Sequence, residues 1–309
     1  MTTQPRRPLT PAVLVRALRL PFLTASVLPL IYGSLLADTP RAWGRLLLGV
    51  LAAAATHLSA NLINDYADSR SGADWHDPRF FGLFGGSKLI QEGVLTERFY
   101  LVLALVWAGV AAAAILALAW LQHSLLLPLS GIGIVLLAWA YSVAPTQLAY
   151  RQLGELVIFL LFGPALVVGG YFIQTGRLFD PRPAVLSAPF GLLTAAILLA
   201  NEIPDCADDA RAGKRNLVSL VGVQHAYRLY AALNIVALLV LLLAVGAGYA
   251  TWPALACLVL VVPVYQATHL MQRHYGSKDD LRRASARAIL VQALAALILI
   301  AGSILWPAS

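Results

Sequence analysis

Residues 100–121 read YLVLALVWAGVAAAAILALAWL, a run without a single charged residue or proline. A helix rises 1.5 Å per residue, and about 20 apolar residues span the hydrocarbon of a bilayer. Inside lipid a helix satisfies its own amides, whereas an isolated strand does not. The stretch therefore predicts a transmembrane helix. Comparable stretches lie on both sides, and nine candidate spans emerge: 18–37, 44–64, 99–121, 124–144, 153–174, 184–203, 229–249, 252–271 and 286–306. The whole chain of 309 residues agrees, being 60% hydrophobic and 12% charged, against roughly 25% charged in a soluble domain. The expectation is one all-α polytopic membrane domain over 1–309. A soluble globule, a disordered chain and a coiled coil are excluded. Two cysteines, Cys206 and Cys257, do not make a disulfide framework. The basic N-terminal flank lacks a small-residue cleavage site, so the first span reads as retained.

The net charge of +7 would hint at nucleic acid in a soluble protein. Here it follows from topology, and no nucleic-acid partner is expected. With the N-terminus in the cytoplasm, 18 of the 22 Lys and Arg residues fall on the cytoplasmic side. Among them are Arg6 and Arg7 at the start and Lys278 to Arg287 near the end. Arg41, Arg45, Arg177 and Arg182 fall outside. This is the positive-inside bias. Two cytoplasmic loops, 65–98 and 204–228, are long and charged, and long loops in compact bundles are usually functional.

Ten of the 15 acidic residues sit in those two loops or, as Glu202, just before one of them. The first opens Asn61-Leu-Ile-Asn64-Asp65-Tyr-Ala-Asp68; the second opens Asn201-Glu202-Ile-Pro-Asp205-Cys-Ala-Asp208-Asp209. In each, Asp follows Asn by four and a second Asp follows by three or four. Such spacing puts an amide and two carboxylates on one helical face. The recurrence weakly suggests an internal repeat, 18–144 and 153–271. Ionised groups beside a bilayer are costly and mark a functional site with a partner. Facing carboxylate clusters repel unless cations separate them, and an all-oxygen donor set suits Mg²⁺. Basic residues follow each cluster: Arg70 and Lys88 the first, Arg211, Lys214 and Arg215 the second. Acids, Mg²⁺ and cations at the membrane edge point to a diphosphate ligand with a greasy tail. Interface anchors and an ion-transport pathway are the competing readings. Anchors favour Lys and Arg over repeated acids, and transport acids tend to lie mid-span.

These residues resemble the UbiA-type superfamily of intramembrane prenyltransferases, whose motifs are matched by Asn64-Asp65-x-x-Asp68 and Asp205-x-x-x-Asp209. The stretches 61–74, 85–96, 141–164 and 201–222 are most similar to the 1,4-dihydroxy-2-naphthoate polyprenyltransferases of menaquinone synthesis. Two details depart from that branch: Asn201-Glu202-Ile203-Pro204 precedes the second motif, and Lys88 stands where Arg is common. The resemblance implies helices around a central cavity in a bacterial cytoplasmic membrane, with the site on the cytoplasmic side. It implies polyprenyl transfer to the naphthoate with loss of diphosphate and CO₂. Asn61, Asp65 and Asp68 would hold one Mg²⁺, and Asn201, Asp205 and Asp209 another. Asn64, Lys88, Arg151, Lys214, Arg70 and Arg211 would contact substrate. Tyr141 and Tyr150 would offer π faces to a carbocation, with membrane lipid around the bundle. Another aromatic acceptor, such as 4-hydroxybenzoate, and a cation-coupled transporter are the alternatives. Two further features stand open: a Trp75-His76-Asp77 fragment, read as solvated loop, and His57, one turn before Asn61 on the same face.

Overall fold

The computed structural model describes residues 9–38, 41–75, 77 and 79–306; Arg6, Arg7 and His76 lie outside them. The described residues form helices and no named strand. In chain order these are α1 (Pro11–Leu18), α2 (Thr24–Leu35), α3 (Trp43–Ser71), α4 (Glu97–Gln122), α5 (Leu126–Ala140), α6 (Gly154–Phe162), α7 (Pro164–Thr175), α8 (Pro181–Arg211), α9 (Leu217–Val221), α10 (Ala226–Gly246), α11 (Val261–Arg273) and α12 (Lys278–Leu305). Every expected span meets a helical segment. Seven of these, not nine, are long and apolar enough to cross a membrane on their own, and the bent pair formed by α1 and 20–35 makes an eighth. The remaining one, α5, has 15 residues, about 22 Å of rise, shorter than the hydrocarbon layer.

Helix starts follow local chemistry. The Thr96 hydroxyl accepts from the Phe99 amide at 3.1 Å, and the Asp180 carboxylate accepts from the Arg182 amide at 2.9 Å. Each satisfies an amide that the first turn leaves open. Helix ends depart from the hydropathy reading. α3 runs to Ser71 and α8 to Arg211, so both acidic motifs are helical and the long loops begin only at 72 and 212. The carboxylates face a pocket between helices rather than lipid, so nothing forces the helix to stop where hydropathy drops.

Small residues set the closest crossing. A Cβ on Gly33 would lie 2.0 Å from the Val167 carbonyl, and one on Gly170 would lie 2.2 Å from the Leu30 carbonyl. Only glycine lets α2 and α7 touch there, and the Ser34 hydroxyl seals the contact on the Gly170 carbonyl at 3.0 Å. α8 packs against α10, α12, α6 and α7, and 72% of its apolar window is buried. It is the axis on which the second motif rides.

One end of the bundle is drawn together by polar contacts. Lys278 at the start of α12 reaches Asp77 in the loop after α3 (2.9 Å) and Asp208 on α8 (3.1 Å). Gln152 donates to the Arg215 carbonyl at 2.9 Å. At the opposite end Gln122 donates to Ile173 at 2.6 Å, and Arg182 to Tyr249 at 3.1 Å.

Candidate active site

The two motifs converge. A polar pocket of about 100 Å³ lies at the first end, between α3 and α8. Asn64 and Asp68 on α3, Asn201, Asp205 and Asp209 on α8, and Lys88 and Lys214 from the loops all line it. Tyr141, at the end of α5, closes one side. Residues separated by 140 positions thus share one hollow. Asp65 is not on its wall, but it is buried and stands just behind.

Each carboxylate is held. Asp68 accepts from the Tyr150 hydroxyl at 2.9 Å and from the Asn64 amide at 3.2 Å. Asn64 in turn donates to the Ser142 hydroxyl at 2.8 Å. Asp209 accepts from Asn216 at 3.1 Å and faces the Lys214 ammonium at 3.4 Å. Asp205 accepts the Gly85 amide at 2.8 Å, and Asp65 accepts the Ser87 amide at 3.1 Å. One turn of the first loop therefore spans both motifs.

That turn has a demanding backbone. Gly86 has φ +70°, and a Cβ there would sit 2.3 Å from Asp74 Oδ2. Lys88 adopts φ +59°, an uncommon conformation for a residue with a Cβ, and strain of this kind collects at functional sites. It turns the Lys88 ammonium inward onto Asp74, 2.7 Å from its carbonyl and 3.1 Å from its carboxylate.

Outside the helices the charges are tuned by burial and by one another. Burial, and then the charge of Asp68, push the Asp74 carboxyl above its usual range, with Lys88 opposing. Burial disfavours the Lys214 charge, yet the carboxylates of Asp209 and Asp68 outweigh it and hold the ammonium well above the lysine range. Burial, with Asp68 beside it, raises the Tyr150 hydroxyl, which therefore stays a donor to that carboxylate.

Several expected contacts lie elsewhere. Arg70 is exposed and pairs with Glu97 at 3.6 Å. Arg211 is exposed and pairs with Asp208 at 3.1 Å. Arg151 donates to the Pro145 carbonyl at 2.7 Å. None of the three lines the pocket, because each leaves its helix or turn on the outer face. Asn61 donates to the Leu18 carbonyl at 3.5 Å and lines a deeper cavity instead. Of the Trp75-His76-Asp77 fragment, Trp75 donates to the Ser69 carbonyl at 2.8 Å, and Asp77 binds Arg79 and Lys278.

Other residues enter unannounced. Arg19 lines the pocket and stands 3.8 Å from Asp65; its charge counted only toward topology. Asp74, Asp77 and Lys278 were legible as members of charged loops, with nothing to show their direction. Phe81 and Phe84 stack at 5.0 Å on the same wall.

A divalent metal fits the donor chemistry. The groups are carboxylate and amide oxygens, which suit a hard ion. Asp65 Oδ1 and Asn201 Oδ1 are buried without a hydrogen-bond partner, open valences that a cation would fill. Among the described residues no three acidic, imidazole or thiol groups already converge as a ligand cage.

Residues 26–291 match the UbiA prenyltransferase family. The chain is 31% identical over 191 residues to the 1,4-dihydroxy-2-naphthoate octaprenyltransferase of Mycobacterium leprae, covering 62% of this chain and 62% of that protein. It is 28% identical over 266 residues to the Escherichia coli K12 enzyme of the same name, covering 81% of this chain and 83% of that protein. The match therefore spans less than two thirds of the first relative's length. The fold is that of a UbiA homolog from Archaeoglobus fulgidus bound to GPP and Mg²⁺, with TM-score 0.60, 14% identity, and coverage of 94% of this chain and 99% of that one.

Proposed function

This chain belongs to the UbiA prenyltransferase family, and we propose that it transfers a polyprenyl group from polyprenyl diphosphate to 1,4-dihydroxy-2-naphthoate, in menaquinone synthesis. The observation that carries the reading is the pairing of carboxylates from α3 and α8 around a pocket that also holds Lys88 and Lys214. The names of the curated relatives support the choice of acceptor.

In this reading the diphosphate occupies the polar pocket. Asp65 and Asp68 on one side, and Asn201, Asp205 and Asp209 on the other, would hold Mg²⁺; Asn61, whose Nδ2 donates to Leu18, would join through Oδ1. Bound Mg²⁺ supplies positive charge to the leaving diphosphate. Lys214 and Lys88 bind phosphoryl oxygens, Lys88 by leaving Asp74. These cations stabilise charge that grows as the allylic C–O bond breaks, the point at which preorganised electrostatics act most strongly. Tyr141 lines the same space, where a π face stabilises a cation; Tyr150 is off that wall and holds Asp68 through its hydroxyl. The ring carbon bearing the carboxylate attacks the allylic carbon. The carboxylate then departs as CO₂ and its electron pair restores the aromatic ring, giving a demethylmenaquinol. Apolar walls keep water from the cation.

We also propose a single domain in a bacterial cytoplasmic membrane with the N-terminus inside. Nine crossings result when the bent first segment and α5, with its flanks, are added to the seven long helices; the distribution of Lys and Arg supports this. The test is purified protein in lipid nanodiscs with polyprenyl diphosphate, Mg²⁺ and the naphthoate. Prenylated naphthoquinol with one CO₂ per diphosphate is expected. Product from 4-hydroxybenzoate alone would move the acceptor, and diphosphate release with no aromatic acceptor would reject the reading.

A further inference from the structure

Two cavities continue inward from the carboxylates. The first is walled by Asn61, Asn64, Thr194 and Asn201, with His57 among its deeper residues. The second is larger and almost wholly apolar, running from His57 and Phe162 to Leu126, Ile173 and Leu178 at the opposite end. His57 lines both. It is 7% exposed, and the edge of its ring meets Phe162 at 5.5 Å. Its Nδ1 is hydrogen-bonded to the hydroxyl of Ser26 on α2, itself buried. The other ring nitrogen, Nε2, has no hydrogen bond among the described residues. A polar group within apolar helices is costly unless partnered, and this one is aligned with the site. It stands two turns, about 12 Å, below Asp65 on the same helix.

We infer that His57, oriented by Ser26, binds a ring oxygen of the aromatic acceptor through Nε2. This rests on the transfer to a hydroxylated aromatic ring proposed above. The reacting carbon must sit just below the diphosphate, beside the allylic carbon. A bicyclic ring reaching inward from there, between Asn64 and Asn201, presents its C4 hydroxyl to the level of His57. A phenol both donates and accepts, so it suits either tautomer of the imidazole. The prenyl tail then passes Phe162 into the apolar cavity, which offers it no polar rival. His57 thus divides the space: ring on the polar side, tail beyond.

The experiment is steady-state kinetics with 1,4-dihydroxy-2-naphthoate, and inhibition by 1-hydroxy-2-naphthoate, which lacks the C4 oxygen. His57→Phe keeps a ring but loses the hydrogen bond. It should raise KM for the acceptor roughly tenfold, the scale of one buried hydrogen bond, with KM for prenyl diphosphate unchanged. His57→Gln should recover part of the loss. Ser26→Ala, which leaves the imidazole in place, should raise acceptor KM less. The inhibition constant of the analogue should be the same in wild type and His57→Phe, since the missing oxygen leaves nothing to lose. A merely structural role would weaken both ligands alike, and that result would overturn the inference. So would an unchanged acceptor KM in both His57→Gln and Ser26→Ala. If wild-type protein prenylates no aromatic acceptor, the proposed function fails and takes this inference with it. Wild-type turnover with indifferent variants sinks the inference alone.

Discussion

The amide of Gly85 donates to Oδ2 of Asp205 at 2.8 Å, across 120 residues of chain. Two residues later the Ser87 amide does the same for Asp65 at 3.1 Å. A short turn therefore clasps the leading carboxylate of each motif, and it occupies oxygens that a bound cation would claim.

Gly86 is the hinge of that clasp, and Gly86→Val should abolish most activity. The substitution adds a Cβ where Asp74 leaves no room, at a φ that side chains disfavour. Circular dichroism should still report the wild-type helix content, because the change lies outside every helix. Turnover above about a tenth of wild type would show that the turn is dispensable.

Asp65→Asn and Asp205→Asn remove a charge and keep the shape. Each should lower kcat by about 10²-fold or more, the scale of one preorganised electrostatic contact. Thermal unfolding in metal-free detergent should be unchanged or higher, since a buried carboxylate is costly. A marked drop in melting temperature would instead make these residues structural.

Tyr150→Phe deletes one hydrogen bond to Asp68 and leaves the ring. We expect a fall in kcat of about tenfold. Arg70→Gln, Arg151→Gln and Arg211→Gln should stay within about twofold of wild type, because their side chains point away from the pocket. Activity assays on the four variants side by side separate the two groups.

Lys278 ties the loop to the bundle through Asp77 and Asp208, and Lys278→Gln should expose residues 72–96 to protease. The same latch carries a pH signature. Hydrogen bonding from Arg79, against some burial, and then from Lys278 hold the Asp77 carboxyl below its ordinary range. A depressed carboxyl stabilises the fold above the unfolded value, about 4. That stability is lost as pH falls through the lower folded value. Pepsin protection of the loop should therefore persist near pH 4 and fade only below it. Asp77→Asn should remove this pH dependence; a loop equally resistant at every acidic pH would refute the latch.

Some of this was written locally. The 100–121 run specifies a membrane helix because hydropathy over 20 residues depends on no distant contact. The paired motifs carried their chemistry in spacing, since i, i+4 and i+7 or i+8 share a helical face wherever the helix lies. Their helical extent was harder to read: α3 continues to Ser71 because its acids face another helix rather than lipid, and a hydropathy window knows nothing of neighbours. Arg70, Arg151 and Arg211 lie off the pocket wall for a related reason, as adjacency to a motif does not set the direction of a side chain.

What chain composition decides, then, is the solvent of each segment and the chemistry each motif brings. Which carboxylate meets which lysine, that Arg19 and Lys278 close around the acids, and that Ser26 aims His57 into the space below them, depends on crossings such as Gly33 on Val167. Those crossings are set by shape complementarity between helices, a property of pairs of surfaces that no single stretch of residues contains.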